Sequence, residues 1–258
     1  MDAPVSTLAA AELGVRAGSR ELVRALSVEF RAGELLAILG RNGSGKTLTL
    51  HTLAGLKPPG AGSVRLGGTE VGALSRRQVA LRLGLLPQDL EEAFVSTVME
   101  TVLIGRHPHL ALWEWESAAD ERIARAALEA VEMGGFAARR TDTLSGGEQR
   151  RVAVAALLAQ EVSTYLLDEP TNHLDPHHQL AVLSLFRRRA DAGATVITTL
   201  HDPTLAARFA DRVLLLFGDG RWVLGPVASA LSAPALSELY LTPMLEIGQD
   251  GRRVFVTA

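Results

Sequence analysis

The run Gly40-Arg41-Asn42-Gly43-Ser44-Gly45-Lys46-Thr47 most limits what this 258-residue chain can fold into. It follows an unbroken apolar segment, Leu35-Leu36-Ala37-Ile38-Leu39, and precedes leucines at 48, 50, 53 and 56 that end at Pro58-Pro59-Gly60. Strand, glycine-rich loop and helix form the context in which G-x-x-x-x-G-K-[ST] holds phosphate. Glycines let backbone N–H groups close on phosphate oxygens without Cβ interference, and the following helix adds its positive dipole end. Lys46 is placed to bridge β- and γ-phosphates, and Thr47 to ligate Mg²⁺. Lysine is scarce here, with only Lys46 and Lys57 among 26 basic residues. A chance match is therefore rare, on the order of one in several hundred chains of this composition.

The pattern on either side predicts an α/β protein. Glu21 to Phe30, Glu34 to Leu39 and Leu83 to Pro87 read as strands, Ser63 to Gly68 as hairpin and Lys46 to Leu56 as helix. From about residue 89 to 160 the periodicity turns helical, as in Ala118 to Met133. Strand character returns at Thr164 to Leu167, Thr195 to Thr199 and Val213 to Phe217, separated by helices at about 177–192 and 203–210. That alternation implies a parallel sheet covered on both faces. A tail from 221 to 258 adds a helix at Ala233 to Tyr240 and a strand at Arg253 to Thr257.

A phosphate loop needs a second acid for its metal, and Thr164-Tyr165-Leu166-Leu167-Asp168-Glu169 supplies two at the end of an apolar strand. Asp168 is placed to hold Mg²⁺, and Glu169 to act as general base for an attacking water. Composition narrows the alternatives. A net charge of −3 offers no basic excess for nucleic acid, and the absence of cysteine removes disulfides, thiolate metal sites and cysteine nucleophiles. Apolar runs such as Val152 to Ala159 fall far short of the roughly 18–20 residues that span a bilayer, and Met1-Asp2-Ala3-Pro4 lacks the positive start of a secretory signal. A cytoplasmic location is expected.

Leu144-Ser145-Gly146-Gly147-Glu148-Gln149, between the phosphate loop and the acidic strand, resembles the signature motif of the ATP-binding-cassette (ABC) ATPases. Leu86-Pro87-Gln88 is similar to their Q-loop, Glu169 through Asp175 to the segment ending in the D-loop, and Thr199-Leu200-His201-Asp202 to the switch histidine. The likeness runs from about Leu13 to Phe217. It implies a P-loop NTPase (RecA-like) core with an N-terminal antiparallel β subdomain at 1–88 and 161–220, an inserted helical subdomain at 89–160 and a short extension at 221–258. It further implies that Gln88 senses Mg²⁺ and the γ-phosphate, that His201 contacts the γ-phosphate, and that Asp175 crosses a dimer interface. Ser145, Gly146 and Gly147 are implied to bind nucleotide held by the other subunit, so the chain is expected to work as a homodimer with ATP and Mg²⁺. In one departure, Ala17 stands where the family usually stacks an aromatic on adenine, and no aromatic precedes Phe30. Similar use of ATP and GTP is expected; a strong ATP preference in a competition assay would contradict it. In another, Ala156 replaces an arginine common after the signature helix.

Gly105-Arg106-His107-Pro108-His109 resembles a segment of importer ATPases serving iron-chelate, haem and cobalamin systems, as do His201 to Ala207 and Ala210 to Val213. The resemblance implies an ATP-hydrolysing subunit lying peripherally on the cytoplasmic face of the membrane. Its expected partners are a two-copy transmembrane permease and, indirectly, a periplasmic or surface substrate-binding protein, with no nucleic acid. The alternatives are an exporter ATPase or a soluble cassette ATPase; the latter usually carries coiled-coil insertions, tandem cassettes or basic extensions. His107 with His109, and His177 with His178, lack a carboxylate at ligand spacing and are read as ordinary polar positions. Trp113 and Trp115 suit either packing or a membrane partner, and Arg187-Arg188-Arg189 a solvated helix face.

Overall fold

Strands buried on both faces need apolar residues at consecutive positions, and Leu35 to Leu39 is such a run. In the computed structural model, which describes residues 6–89, 96–111, 113–249 and 252–258, all five of these residues are buried. The reading of Met1 to Pro4 and the first residues of the helical segment, 90–95, lie outside the described residues.

The chain opens with β1 (Ser6–Ala17), β2 (Arg20–Arg31), β3 (Leu35–Leu39), α1 (Lys46–Leu53), β4 (Ala61–Leu66), β5 (Thr69–Glu70), α2 (Arg76–Ala80) and β6 (Leu83–Leu86). The helical segment contributes α3 (Val98–Leu103), α4 (Ala118–Ala130) and α5 (Gly146–Ala159). The chain then returns through β7 (Thr164–Leu167), α6 (Pro176–Asp191), β8 (Thr195–Thr199), α7 (Pro203–Phe209) and β9 (Arg212–Leu216). It closes with β10 (Trp222–Pro226), α8 (Val227–Ala230), α9 (Ala233–Tyr240), β11 (Met244–Gln249) and β12 (Arg252–Thr257).

Two sheets result. The antiparallel one runs β2-β1-β4-β5, and the central one β10-β9-β3-β8-β7-β6. Strands β3, β6, β7, β8 and β9 are parallel, while β10 pairs antiparallel with β9 at the edge. The core sheet thus continues past residue 220 into the expected extension. Side chains alternate along β3: Leu36 and Ile38 pack toward the antiparallel sheet and Leu50 and Leu53 of α1, whereas Ala37 and Leu39 pack toward α6, α7 and α9. The helix after the phosphate loop ends at Leu53, three residues earlier than the leucine pattern predicts. Gly55 there takes a left-handed φ of 69°, and a Cβ on it would clash with Val71. Among the described residues no helix is long and apolar enough to cross a membrane.

The helical subdomain has its own core of Val98, Val102, Ala124, Leu128, Val152 and Ala155, joined to the sheet through Leu86, Tyr165 and Leu167. Arg106, buried within it, donates to Asp120 at 2.9 Å and to the Ala159 carbonyl at 2.7 Å. Hydrogen bonds from Ser117, with Arg106 beside it, hold the Asp120 carboxyl far below the usual carboxylate range. A depressed native pKa stabilises the fold above the unfolded value near 4, and that contribution fades as pH falls below it. Asp120→Asn is expected to lose roughly 1–3 kcal/mol at pH 7. The gap between the urea midpoints of the wild type and this variant is expected to narrow progressively as pH falls below 4, and a gap that stays constant from pH 7 to pH 2 would contradict the assignment.

Candidate functional site

The order β3-β8-β7-β6 brings the C-terminal ends of four parallel strands side by side, the edge where α/β sheets bind ligands. Gly40 follows β3, His201 β8, Asp168 β7 and Gln88 β6, so residues distant in sequence meet along one line.

The loop from Gly40 to Thr47 is a cradle without side-chain obstruction. A Cβ on Gly40 would lie 2.6 Å from the Leu216 carbonyl, and Gly45, at φ 103°, occupies a conformation that side chains disfavour. Gly45 is also the N-cap of α1 and offers no side-chain cap, so the first-turn amides point to whatever anion enters. Lys46 is buried, donates to the Gly40 carbonyl at 3.0 Å and lies 3.9 Å from Glu169. Burial lowers its pKa, partly offset by Glu169 and Asp168. Ser44 is buried as well, with no partner for its Oγ. Arg41 and Asn42 are exposed on the outer side of the loop.

Thr199 reaches across from β8 to organise the acids. Its hydroxyl donates to Asp168 Oδ1 at 2.7 Å and accepts the Glu169 N–H at 2.8 Å. This leaves Asp168 Oδ2 fully buried and unpaired, a state that a carboxylate sustains only beside a cation or water. Gln88 Oε1 accepts from the Thr47 hydroxyl at 3.4 Å. Thr47, Gln88 and Asp168 therefore present hard oxygen donors, the set that suits Mg²⁺. Glu169 sits at a left-handed φ of 48°, uncommon for a non-glycine residue and typical of constrained functional positions. Its Oε1 meets His201 Nε2 at 2.6 Å, and its Oε2 accepts from Asn172 at 2.5 Å.

Ser145, Gly146, Gly147 and Asp175 meet elsewhere, in an open groove with His173, Leu174 and His178. Ser145 caps α5 and exchanges hydrogen bonds with Glu148, whose pKa these bonds lower. Asp175 caps α6 through the His178 N–H at 2.9 Å.

Four residues in or beside the site escaped sequence reasoning. Thr199 and Asn172 orient the acids as described. Arg150, fully buried, spans the carbonyls of Pro87, Gln88, Asp168, Glu169 and Pro170. It ties the signature helix to both the Q-loop and the acidic strand, and burial lowers its pKa to about 10. Adjacent arginines after the signature were the available signal, but sequence does not tell which one turns inward. Tyr240 of the tail donates to the His201 carbonyl at 3.2 Å; burial, with Asp202 nearby, pushes its phenol up to about 12. Other readings changed. Arg187 is no merely solvated residue, since it joins Asp211 at 2.7 Å and Asp191 at 2.9 Å. His177 and His178 do have carboxylate neighbours, Glu132 and Asp175, and His107 has Glu116 at 3.4 Å. Trp113 and Trp115 are 91% and 86% exposed, which excludes packing into the core.

This geometry agrees with the comparisons. The ABC transporter family profile matches residues 23–172. A hemin import ATP-binding protein of Streptomyces coelicolor is 44% identical over 245 residues, covering 94% of this chain and 86% of that protein. A solved metal-chelate type ABC transporter in an inward-facing conformation has a TM-score of 0.85 at 27% identity, covering 98% of this chain and 97% of its own. A dimeric bacterial ABC transporter cassette has a TM-score of 0.74 at 25% identity, covering 85% and 98%. With the phosphate loop, signature, acidic strand and His201 following one another in that order, the chain belongs to the ABC transporter family as one of its ATP-hydrolysing subunits.

Proposed function

We propose that this subunit powers import of haem or a related iron chelate, working as a head-to-tail homodimer coupled to a two-copy membrane permease that a separate substrate-binding protein supplies. The identity of 44% to a hemin import ATP-binding protein, over nearly the whole chain, carries the cargo reading. A groove lined by Leu86, Pro87, Ile104, Gly105, Ala156 and Leu157 supports the permease reading, with Ile104 56% exposed at its rim. Ala156 is one of the residues lining that groove, where an arginine would carry a longer, charged side chain.

In the proposed cycle the Gly40–Thr47 amides and Lys46 bind the ATP phosphates, and Thr47, Gln88 and Asp168 hold Mg²⁺. The ion, when bound, neutralises charge on the β- and γ-phosphate oxygens. Glu169 takes a proton from the attacking water, and His201 steadies the γ-phosphate side. Each Glu169 oxygen already has one hydrogen-bond partner, His201 or Asn172, and a second lone pair remains for the water. Ser145, Gly146, Gly147 and Asp175 of one subunit complete the site of the other. Arg150 carries the resulting movement between the signature helix and Gln88, beside the permease groove.

Lys46→Ala is expected to weaken ATP binding itself, and wild-type affinity by calorimetry would overturn the phosphate-loop assignment. The function is tested by pulling down tagged Glu169→Gln protein with ATP from detergent-solubilised membranes of the native host. Recovery of a polytopic membrane protein, with hydrolysis stimulated by a haem-loaded binding protein after reconstitution, is the expected result. Recovery of soluble or ribosomal partners alone would refute it.

A further inference from the structure

We infer that Glu132, His177 and His178 form a binding site for a divalent transition-metal ion of the zinc class, separate from the Mg²⁺ position. Among the described residues these three form the one group of histidines and acids whose ligand atoms all lie within 4.8 Å of one another. Two imidazoles and a carboxylate are a donor set that zinc takes with a fourth position left to water, and nitrogen donors disfavour Mg²⁺.

The second observation is the partner of His178. Asp175 Oδ2 lies 2.9 Å from His178 Nδ1, which reserves Nε2 for a ligand. A carboxylate behind a histidine in this way fixes the tautomer and raises the basicity of the ligating nitrogen. His177 Nε2 stands 4.0 Å from Glu132 Oε1, and the two rings meet edge-on with centroids 5.2 Å apart. Bonds of about 2.0–2.2 Å to one tetrahedral ion set donors roughly 3.3–3.6 Å apart, so closure needs a shift of about 1 Å. Glu132 and His177 are exposed and His178 half-buried, so rotamer changes supply that shift.

The placement gives the site a consequence. Glu132 follows the end of α4 in the helical subdomain, at a left-handed φ of 59°, and Arg151 holds the carbonyls of Val131 and Glu132. His177 and His178 lie in the first turn of α6, after Asp175 and Pro176, and His178 also lines the groove of Ser145 and Gly147. A bound ion joins the helical subdomain to the α6 start and restrains both. The positive end of the α6 dipole opposes a cation there, and against it Glu132 and Asp175 each supply a negative charge. Slower hydrolysis with zinc bound follows; this consequence rests on the proposed function, whereas the binding does not.

The test is calorimetric titration of ZnCl₂ into nucleotide-free, Mg²⁺-free protein, with Glu132→Gln and His177→Ala as variants and circular dichroism to verify their folding. One equivalent of zinc is expected to bind the wild type, and each variant to bind it at least ~10-fold more weakly. Absence of saturable binding, or equal affinity in the folded variants, would overturn the site. Zinc is expected to slow hydrolysis by the wild type and spare Glu132→Gln; equal inhibition of both would remove the regulatory consequence.

Discussion

Glu169→Gln is expected to slow ATP hydrolysis by roughly 10²–10⁴-fold, the usual contribution of a general base, while ATP binding persists. The amide keeps the shape of the carboxylate, so Asn172 can still donate to its oxygen, but it cannot accept a proton from water. The buried groups proposed to bind phosphate, Lys46 above all, remain in place, and removing one negative charge 3.9 Å from Lys46 does not repel phosphate. ATP added to this variant is therefore expected to accumulate a dimer that the wild type consumes, visible by light scattering. Phosphate release at the wild-type rate would remove Glu169 as base.

Arg150→Leu is expected to destabilise the protein by at least about 3 kcal/mol and to lower the melting temperature by about 6–12 °C. Leucine is apolar and removes the donors that Arg150 gives to five carbonyls, of which the Glu169 carbonyl keeps the Asn172 N–H and the buried Asp168 carbonyl loses its guanidinium. Arg150→Lys separates charge from geometry. An ammonium brings three donors on one nitrogen, and these cannot span carbonyls that a planar guanidinium reaches from three. The lysine variant is expected to fold, with a smaller loss in melting temperature, and to hydrolyse ATP more slowly. Differential scanning calorimetry with a phosphate-release assay reads both effects, and a wild-type melt for Arg150→Leu would contradict the clamp.

The phosphate loop, the acidic strand and the signature were legible because each is local: a few adjacent residues with demanding chemistry, set at the end of a strand or the start of a helix. The parallel core was legible too, since β3, β7, β8 and β9 are short apolar runs that alternate with helices. Other features carried no such mark. The early strand β1 shows little alternation over Ser6 to Ala11 and is held by pairing with β2 and β4. Strand β10 is a half-exposed edge, recruited to the sheet by β9. His177 and His178 read as plain surface histidines until chain packing set Glu132, 45 positions earlier, against them.

The sequence by itself determined which groups are the candidates for the chemistry, because phosphate, metal and proton transfer each require particular side chains at fixed local spacing. Only the tertiary structure decided how those groups are held. Strand order β3-β8-β7 puts Thr199 between the phosphate loop and the acids, and helix packing turns Arg150 inward. Hydrogen bonds between segments tens of residues apart depend on which strands and helices become neighbours, and that is settled by burial of the whole apolar core rather than by any local pattern.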